Sequence, residues 1–174
     1  PPARRPRLNT LVNNAGISPK GPEGSRLGVL ESDRDTWNAV FSVNIFAVAL
    51  LVRGLIDVLS EAQGAVVNVT SIAGSRVHPY AGAAYACSKA ALLTLTREMA
   101  AEFAPRNVRI NAISPGEIDT AILSPGTVAF AEREVPMRRL GRPEEVADAI
   151  QFLCGPQASY VTGSELHING GQHV

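Results

Sequence analysis

The sequence predicts an α/β fold built on a parallel sheet. Four short apolar or β-branched runs lie at residues 8–14, 65–71, 108–113 and 164–168, each bounded by Gly, Pro or polar turn formers. Helix-compatible stretches separate successive runs, the spacing of right-handed crossover connections rather than hairpins. The polar residues with chemical potential gather where a run gives way to a loop, the edge at which such sheets hold ligands.

In chain order, Leu8-Asn9-Thr10-Leu11-Val12, stopped by Asn13-Asn14-Ala15-Gly16, reads as a buried strand running into a loop. Residues 17 to 28 carry Pro19, Gly21, Pro22, Gly24 and Gly28 and form an irregular connection. Ser32 or Asp33 caps a helix that reaches Leu59 or Ala62. Its apolar positions, from Trp37 to Leu59, cover most of the circumference midway, so the helix is expected to be buried on more than one side. Gly64 ends it, and Ala65-Val66-Val67-Asn68-Val69-Thr70-Ser71 is a central strand.

A loop from Ile72 to Gly82 leads into a helix that runs to about Phe103 and stops at Pro105. Val108 to Ile113 is the third strand, broken by Pro115-Gly116. Residues 117 to 142, with Pro125, Gly126, Pro136 and Gly141, make a long irregular segment placed as a lid. Pro143 opens a helix with Glu144 and Glu145 favourable to its dipole, reaching Leu153, and Ser164 to Ile168 is the last strand.

The 174 residues, 45% of them hydrophobic, fit one domain, with residues 1 to 7 as leader or linker. Sixteen basic and sixteen acidic residues balance, so no global field points to nucleic acid or an anionic membrane. Cys87 and Cys154 have no CxxC or Cys/His spacing, which reads as reduced and non-metallic. The basic start, Pro1 to Arg7, has no apolar segment directly behind it in the pattern of a secretory signal, so a cytoplasmic location is the default expectation. The longest apolar candidate for a membrane span, Ile45 to Leu59, is interrupted by Arg53 and Asp57.

The chemistry centres on Tyr85-Ala86-Cys87-Ser88-Lys89. Positions four apart share a helix face, so the Tyr85 phenol and the Lys89 ammonium project into the same space. A nearby cation favours the phenolate, bringing the phenol towards the operating pH, where it exchanges protons with an alcohol or ketone. Such a pair also arises by chance on a helix surface; likewise the alternative for Ser71 at a strand end is a turn former, and for Asn44 within a helix a back-bonding side chain.

Taken together and in order, these segments resemble the short-chain dehydrogenase/reductase family. The resemblance rests on Asn13-Asn14-Ala15-Gly16, Val43-Asn44-Ile45, Asn68-Val69-Thr70-Ser71, the Tyr85 to Lys89 run, Asn111-Ala112-Ile113-Ser114-Pro115-Gly116 with Thr120, Gly141 to Ala147, Tyr160 to Gly163 and Asn169-Gly170-Gly171. It implies a partial Rossmann-type sheet with helices on both faces, the C-terminal part of a doubly wound fold. It implies a Ser/Tyr/Lys/Asn relay that interconverts an alcohol and a ketone with NAD or NADP: Tyr85 as acid or base, Lys89 and the cofactor charge depressing its pKa, Ser71 on the substrate oxygen, and Asn44 holding a water towards Lys89. Tyr85 and Lys89 would also contact the cofactor. Asn14, Ala15 and Gly16 would meet its adenosine half and Asn13 would tie strands together. Pro115, Gly116, the Ile118 backbone and Thr120 would meet the nicotinamide end, with glycine at 16 and 116 to let the ligand approach.

The family pattern begins with a strand, a glycine-rich turn and a helix, and none of these precedes Asn13, which would leave residues 8 to 14 as an apolar sheet edge. Three readings follow: a fragment of a complete enzyme, a short chain completed by a partner, or a truncated non-catalytic chain that only oligomerises. Arg76, His78, Tyr80, Glu117 and the lid from Ile122 to Met137 are candidates to face the substrate, with solvated loops as the alternative for Arg76 and His78, and for Lys20 and Arg26. Glu117 hints at a hydroxylated substrate or caps the lid. The substrate classes left open are a β-ketoacyl thioester, a sugar or polyol, and a cyclic alcohol. Phe46, Val48, Leu51, Val52, Leu55 and Leu59 exceed what one sheet face covers, and the Tyr85 helix is apolar too, which predicts a homodimer or homotetramer.

Overall fold

The computed structural model describes residues 7–121 and 123–174; the expected leader apart from Arg7, and Ile122 of the expected lid, lie outside the described residues. Strands β1 (Thr10–Asn13), β2 (Ala65–Val69), β3 (Arg109–Pro115) and β4 (Glu165–Ile168) form one sheet in that order, every neighbouring pair parallel. All four carboxyl ends therefore lie at one edge. Between them run α1 (Arg34–Phe41), a π-helical turn at Ser42–Phe46, α2 (Ala47–Ala62), α3 (Ala83–Phe103), α4 (Thr127–Glu134) and α5 (Pro143–Cys154).

Alternation along β2 sorts the helices onto two faces. Val66 and Ile110 point to a core closed by Val52, Ile56 and Leu59 of α2 and Leu92 and Met99 of α3. Val67 and Ile113 point the other way, to Leu153 of α5 and Ala158. Each strand steps in the same direction across the sheet, yet α2 and α3 lie on one face and α5 on the other. The last crossover therefore has the opposite hand from the first two, which corrects the expectation of uniformly right-handed connections. The long path through α4 between β3 and α5 frees this connection from the short-loop constraint behind that rule.

Helix α1 begins where Asp33 accepts a hydrogen bond from the Thr36 amide at 2.8 Å. The helix then continues through the π turn to Gln63, whose left-handed φ of 52° ends it. From Arg34 to Ala62 it spans 29 residues with a mean hydropathy of 2.2 in its most apolar 18-residue stretch, so by length and composition it reaches spanning size despite Arg53 and Asp57. Its inner face is that of a core helix, with Val40, Val48, Val52, Ile56 and Leu59 buried. Its outer face is not: Phe46, Leu50 and Leu51 are exposed, and the expectation of burial on more than one side fails within this chain.

Two other elements depart from the sequence reading. Strand β1 is the sheet edge expected for residues 8 to 14, but it is buried on one side only: Leu8 and Leu11 pack on the α2 side, whereas Val12, facing the α5 side, is 40% exposed, with no helix among the described residues covering it there. Within the expected lid, the eight residues of α4 are helical, entered through Gly126 at φ 84°.

Polar residues lock the strands beneath the site. Asn13 Nδ2 donates to Asn68 Oδ1 at 2.8 Å, Asn68 Nδ2 to Thr96 Oγ1 at 2.8 Å, and Thr96 Oγ1 to Leu92 O at 2.7 Å. This chain ties β1 to β2 and β2 to α3, the role expected of Asn13, with Thr96 completing it. Asn68→Ala strips two buried groups of their partner and is expected to lower the unfolding free energy by about 2 kcal/mol or more, measured by urea denaturation.

Candidate active site

Lys89 fixes the geometry. Its ammonium, buried at the carboxyl edge of the sheet, donates to the Val69 carbonyl that ends β2, at 2.8 Å. One turn earlier on α3, Tyr85 lies with its ring centroid 5.6 Å from Lys89 Nζ. Two residues beyond Val69, Ser71 caps a short turn, its hydroxyl accepting from the Ala73 amide at 3.2 Å. Ser71 is thus a turn former, and its hydroxyl proton remains for the Tyr85 oxygen.

The electrostatics reverse one expectation. Tyr85 is pushed above its ordinary value of 10, first by burial of its hydroxyl end and further by the negative charge of Glu117, while only the hydrogen bond from Ser71 pulls it down. The ammonium near the ring does not acidify the resting phenol. Lys89 itself is lowered from 10.5 to about 8 by burial.

Asn44 is fully buried in the π turn, where widened geometry turns its side chain towards the loop after β1. Its Oδ1 accepts from the Ile17 amide at 2.9 Å, and its Nδ2 donates to Ile17 O at 3.1 Å and to Ser88 Oγ at 2.9 Å. Both side-chain amide protons are thus engaged by protein, and the amide positions the loop and Ser88. Ser88 Oγ in turn donates to Tyr85 O at 2.7 Å. The sequence reading passed over Ser88, although it sits inside the Tyr85 to Lys89 run.

A cavity of about 670 Å³ opens at this edge. Asn14, Gly16, Tyr85, Lys89, Pro115, Gly116, Ile118 and Thr120 line it, with Ser71 at one end. Ala15 is exposed and outside this lining. Both glycines line the cavity, and protein packing constrains them as well. A Cβ on Gly16 would meet Lys89 Nζ at 3.2 Å and Asn44 Oδ1 at 3.4 Å, and one on Gly116 would meet the Asn169 Cβ at 2.7 Å.

A smaller cavity of about 100 Å³ adjoins it, sharing Ser71, Tyr85 and Gly116. Its outer wall holds Lys20, His78, Glu117 and Ser124. His78 is buried and hydrogen-bonded to Glu117, so the solvated-loop reading fails for it. That reading holds for Arg76, which is exposed and bonds the Gln172 carbonyl, and for exposed Arg26, which bonds Ala81 O at 2.8 Å. Lys20 is half-buried and reaches Tyr80 O at 2.5 Å. The sequence signal for Lys20 was only a lysine after a proline.

A family model described as enoyl-(acyl carrier protein) reductase matches residues 3–173. The chain is 58% identical over 167 residues to the protein FixR of Bradyrhizobium diazoefficiens, covering 96% of this chain and 60% of that protein. It thus spans well under two thirds of that relative's length. An oxidoreductase of the short chain dehydrogenase/reductase family from Brucella ovis, solved in complex with a partially ordered NAD, shares 55% identity at a TM-score of 0.78, over 94% of this chain and 66% of that one. A 3-oxoacyl-(acyl-carrier protein) reductase from Brucella melitensis, solved with bound NAD, shares 38% identity at a TM-score of 0.90, over 96% and 63% respectively.

Because Lys89 sheds its proton more readily folded than unfolded, the unfolded chain binds more protons between about pH 8 and 10, and stability rises with pH across that window. The unfolding free energy of the wild type relative to Lys89→Met is expected to climb by on the order of 2 kcal/mol over it, read from urea curves at stepped pH. A flat difference would refute the burial of this charge.

Proposed function

The chain belongs to the short-chain dehydrogenase/reductase family, and on that premise we propose that it is an NAD(P)-dependent oxidoreductase interconverting an alcohol and a ketone. The observation that carries this reading is the position of Ser71 and Tyr85, whose side chains both line the two adjoining cavities. One cavity has the size for a cofactor end and the other for a small substrate.

The larger cavity suits the nicotinamide and ribose end of a dinucleotide. Its walls at Val69, Pro115, Ile118 and Pro143 are apolar, which fits a flat ring, and Lys89 and Thr120 supply polar groups for hydroxyl and amide partners. When bound there, the cofactor supplies or accepts the hydride. Tyr85, kept as a protonated phenol, gives its proton to the ketone oxygen as that oxygen gains charge. Ser71 donates a hydrogen bond to the same oxygen and stabilises the developing charge. The phenolate left behind lies beside the Lys89 ammonium, which opposes its negative charge. Alcohol oxidation runs the same steps backwards, with Tyr85 as base.

The exposed Phe46, Leu50 and Leu51 on the outer face of the π turn and α2 support a homodimer or homotetramer built on that face. Both cysteines are free thiols, in keeping with the cytoplasmic location proposed here.

With NADH or NADPH and a panel of small ketones, the chain is expected to oxidise the cofactor, and Tyr85→Phe to lower kcat by about 100-fold or more with KM little changed. Cofactor binding without turnover on any ketone or alcohol would favour the truncated, non-catalytic alternative. In light scattering after size exclusion, the wild type is expected as a dimer or tetramer, and Phe46→Glu with Leu50→Glu as a monomer; a monomeric wild type would refute the assembly.

A further inference from the structure

The outer wall of the smaller cavity holds charged groups that the proposed proton transfer does not use. We propose that this wall recognises a hydroxyl carried close to the reacting carbonyl, so that the substrate is a small neutral hydroxyketone or polyol rather than an apolar acyl chain or a keto acid. The inference rests on the oxidoreductase reading above and names its substrate class.

The tautomer of His78 sets which side of its contact with Glu117 donates. The Tyr80 amide donates to His78 Nδ1 at 3.3 Å, so that nitrogen is bare and the ring proton resides on Nε2, which faces Glu117 Oε1. His78 is therefore the donor and the Glu117 carboxylate the acceptor in this contact. Rings of Tyr80 and Phe130, with centroids 6.0 and 5.5 Å from the imidazole, hold it in place. Glu117 is 7% exposed, and Gln172 Nε2 makes a longer contact to its Oε1 at 3.5 Å. Its other oxygen accepts no hydrogen bond from the described residues.

On the same cavity, Lys20 spends one N–H on Tyr80 O and keeps two. The charge of Glu117 acts on this ammonium, opposing the effect of its partial burial. Ser124 Oγ is buried against the cavity without a hydrogen-bond partner among the described residues. The wall thus offers cationic donors, an anionic acceptor and an unsatisfied hydroxyl within about 100 Å³ of space, room for only a few heavy atoms.

Three substituents can be weighed against this wall. An alkyl chain would dehydrate these groups and pair none of them. A carboxylate would pair with Lys20 but face the like charge of Glu117. A hydroxyl donates to Glu117 and accepts from Lys20, satisfying both at once.

The test measures binding of hydroxyacetone, acetone and pyruvate to the full chain by ligand-observed NMR with NADH or NADPH present, alongside turnover of each. Hydroxyacetone is expected to bind at least about tenfold tighter than either competitor, and Glu117→Gln and Lys20→Met each to bring that ratio to about twofold. Lys20 lies in the first loop, so its variant stands independently if Glu117→Gln disturbs folding. Equal binding of acetone, preference for pyruvate, no binding by any of the three, or a hydroxyacetone preference that survives both substitutions overturns the inference. The binding preference without turnover in any arm supports this pocket and overturns the oxidoreductase reading; turnover of all three without preference does the reverse.

Discussion

The hydrogen bond from Lys89 to the carbonyl that closes β2 is the interaction on which the site depends. A buried ammonium without such an acceptor carries a large desolvation cost, so α3 is held in the register that brings Lys89 to Val69. That register places Tyr85 one turn back, level with Ser71, which follows Val69 by two residues. It also brings Lys89 against Gly16 and Asn44, where no side chain larger than hydrogen fits without a shift at position 16. Three segments remote in sequence are thereby fixed by one charge.

The same burial decides the resting chemistry. A low-dielectric site disfavours charge on both Tyr85 and Lys89, raising one pKa and lowering the other, and Glu117 adds to the first effect. The surroundings of the resting phenol therefore favour its protonated form. Glu117 links the two cavities electrostatically, since its charge acts on Tyr85 from the wall that also presents Lys20 and His78.

Much of this was legible in the residues. β-Branched runs gave the strands, Asp33 and Gly64 bracketed the long helix, and the four-residue spacing of Tyr85 and Lys89 put both on one side of α3. The family resemblance implied that Asn13 ties strands together, and its buried amide does bond Asn68. What was not legible depends on tertiary placement. Thr96 completes the Asn13 and Asn68 chain from a helix distant in sequence. The π turn at Asn44 leaves no mark in composition. Helix α4 is short and lies between Pro125 and Pro136, which made its residues look like loop. His78 belongs to a loop of polar and Gly/Pro residues and is buried only because Glu117 and Phe130 reach it. The sign of the Tyr85 shift turns on burial, which the helix spacing alone does not report.

The most direct measurement is a pH titration of Tyr85 in the chain without cofactor, followed through the ring carbon that bears the hydroxyl in a tyrosine-labelled sample and assigned with Tyr85→Phe. A midpoint above 10 is expected, because burial and Glu117 together outweigh the Ser71 hydrogen bond. A midpoint below 10 would mean that the lysine acidifies the phenol at rest, and would contradict the arrangement described for this site.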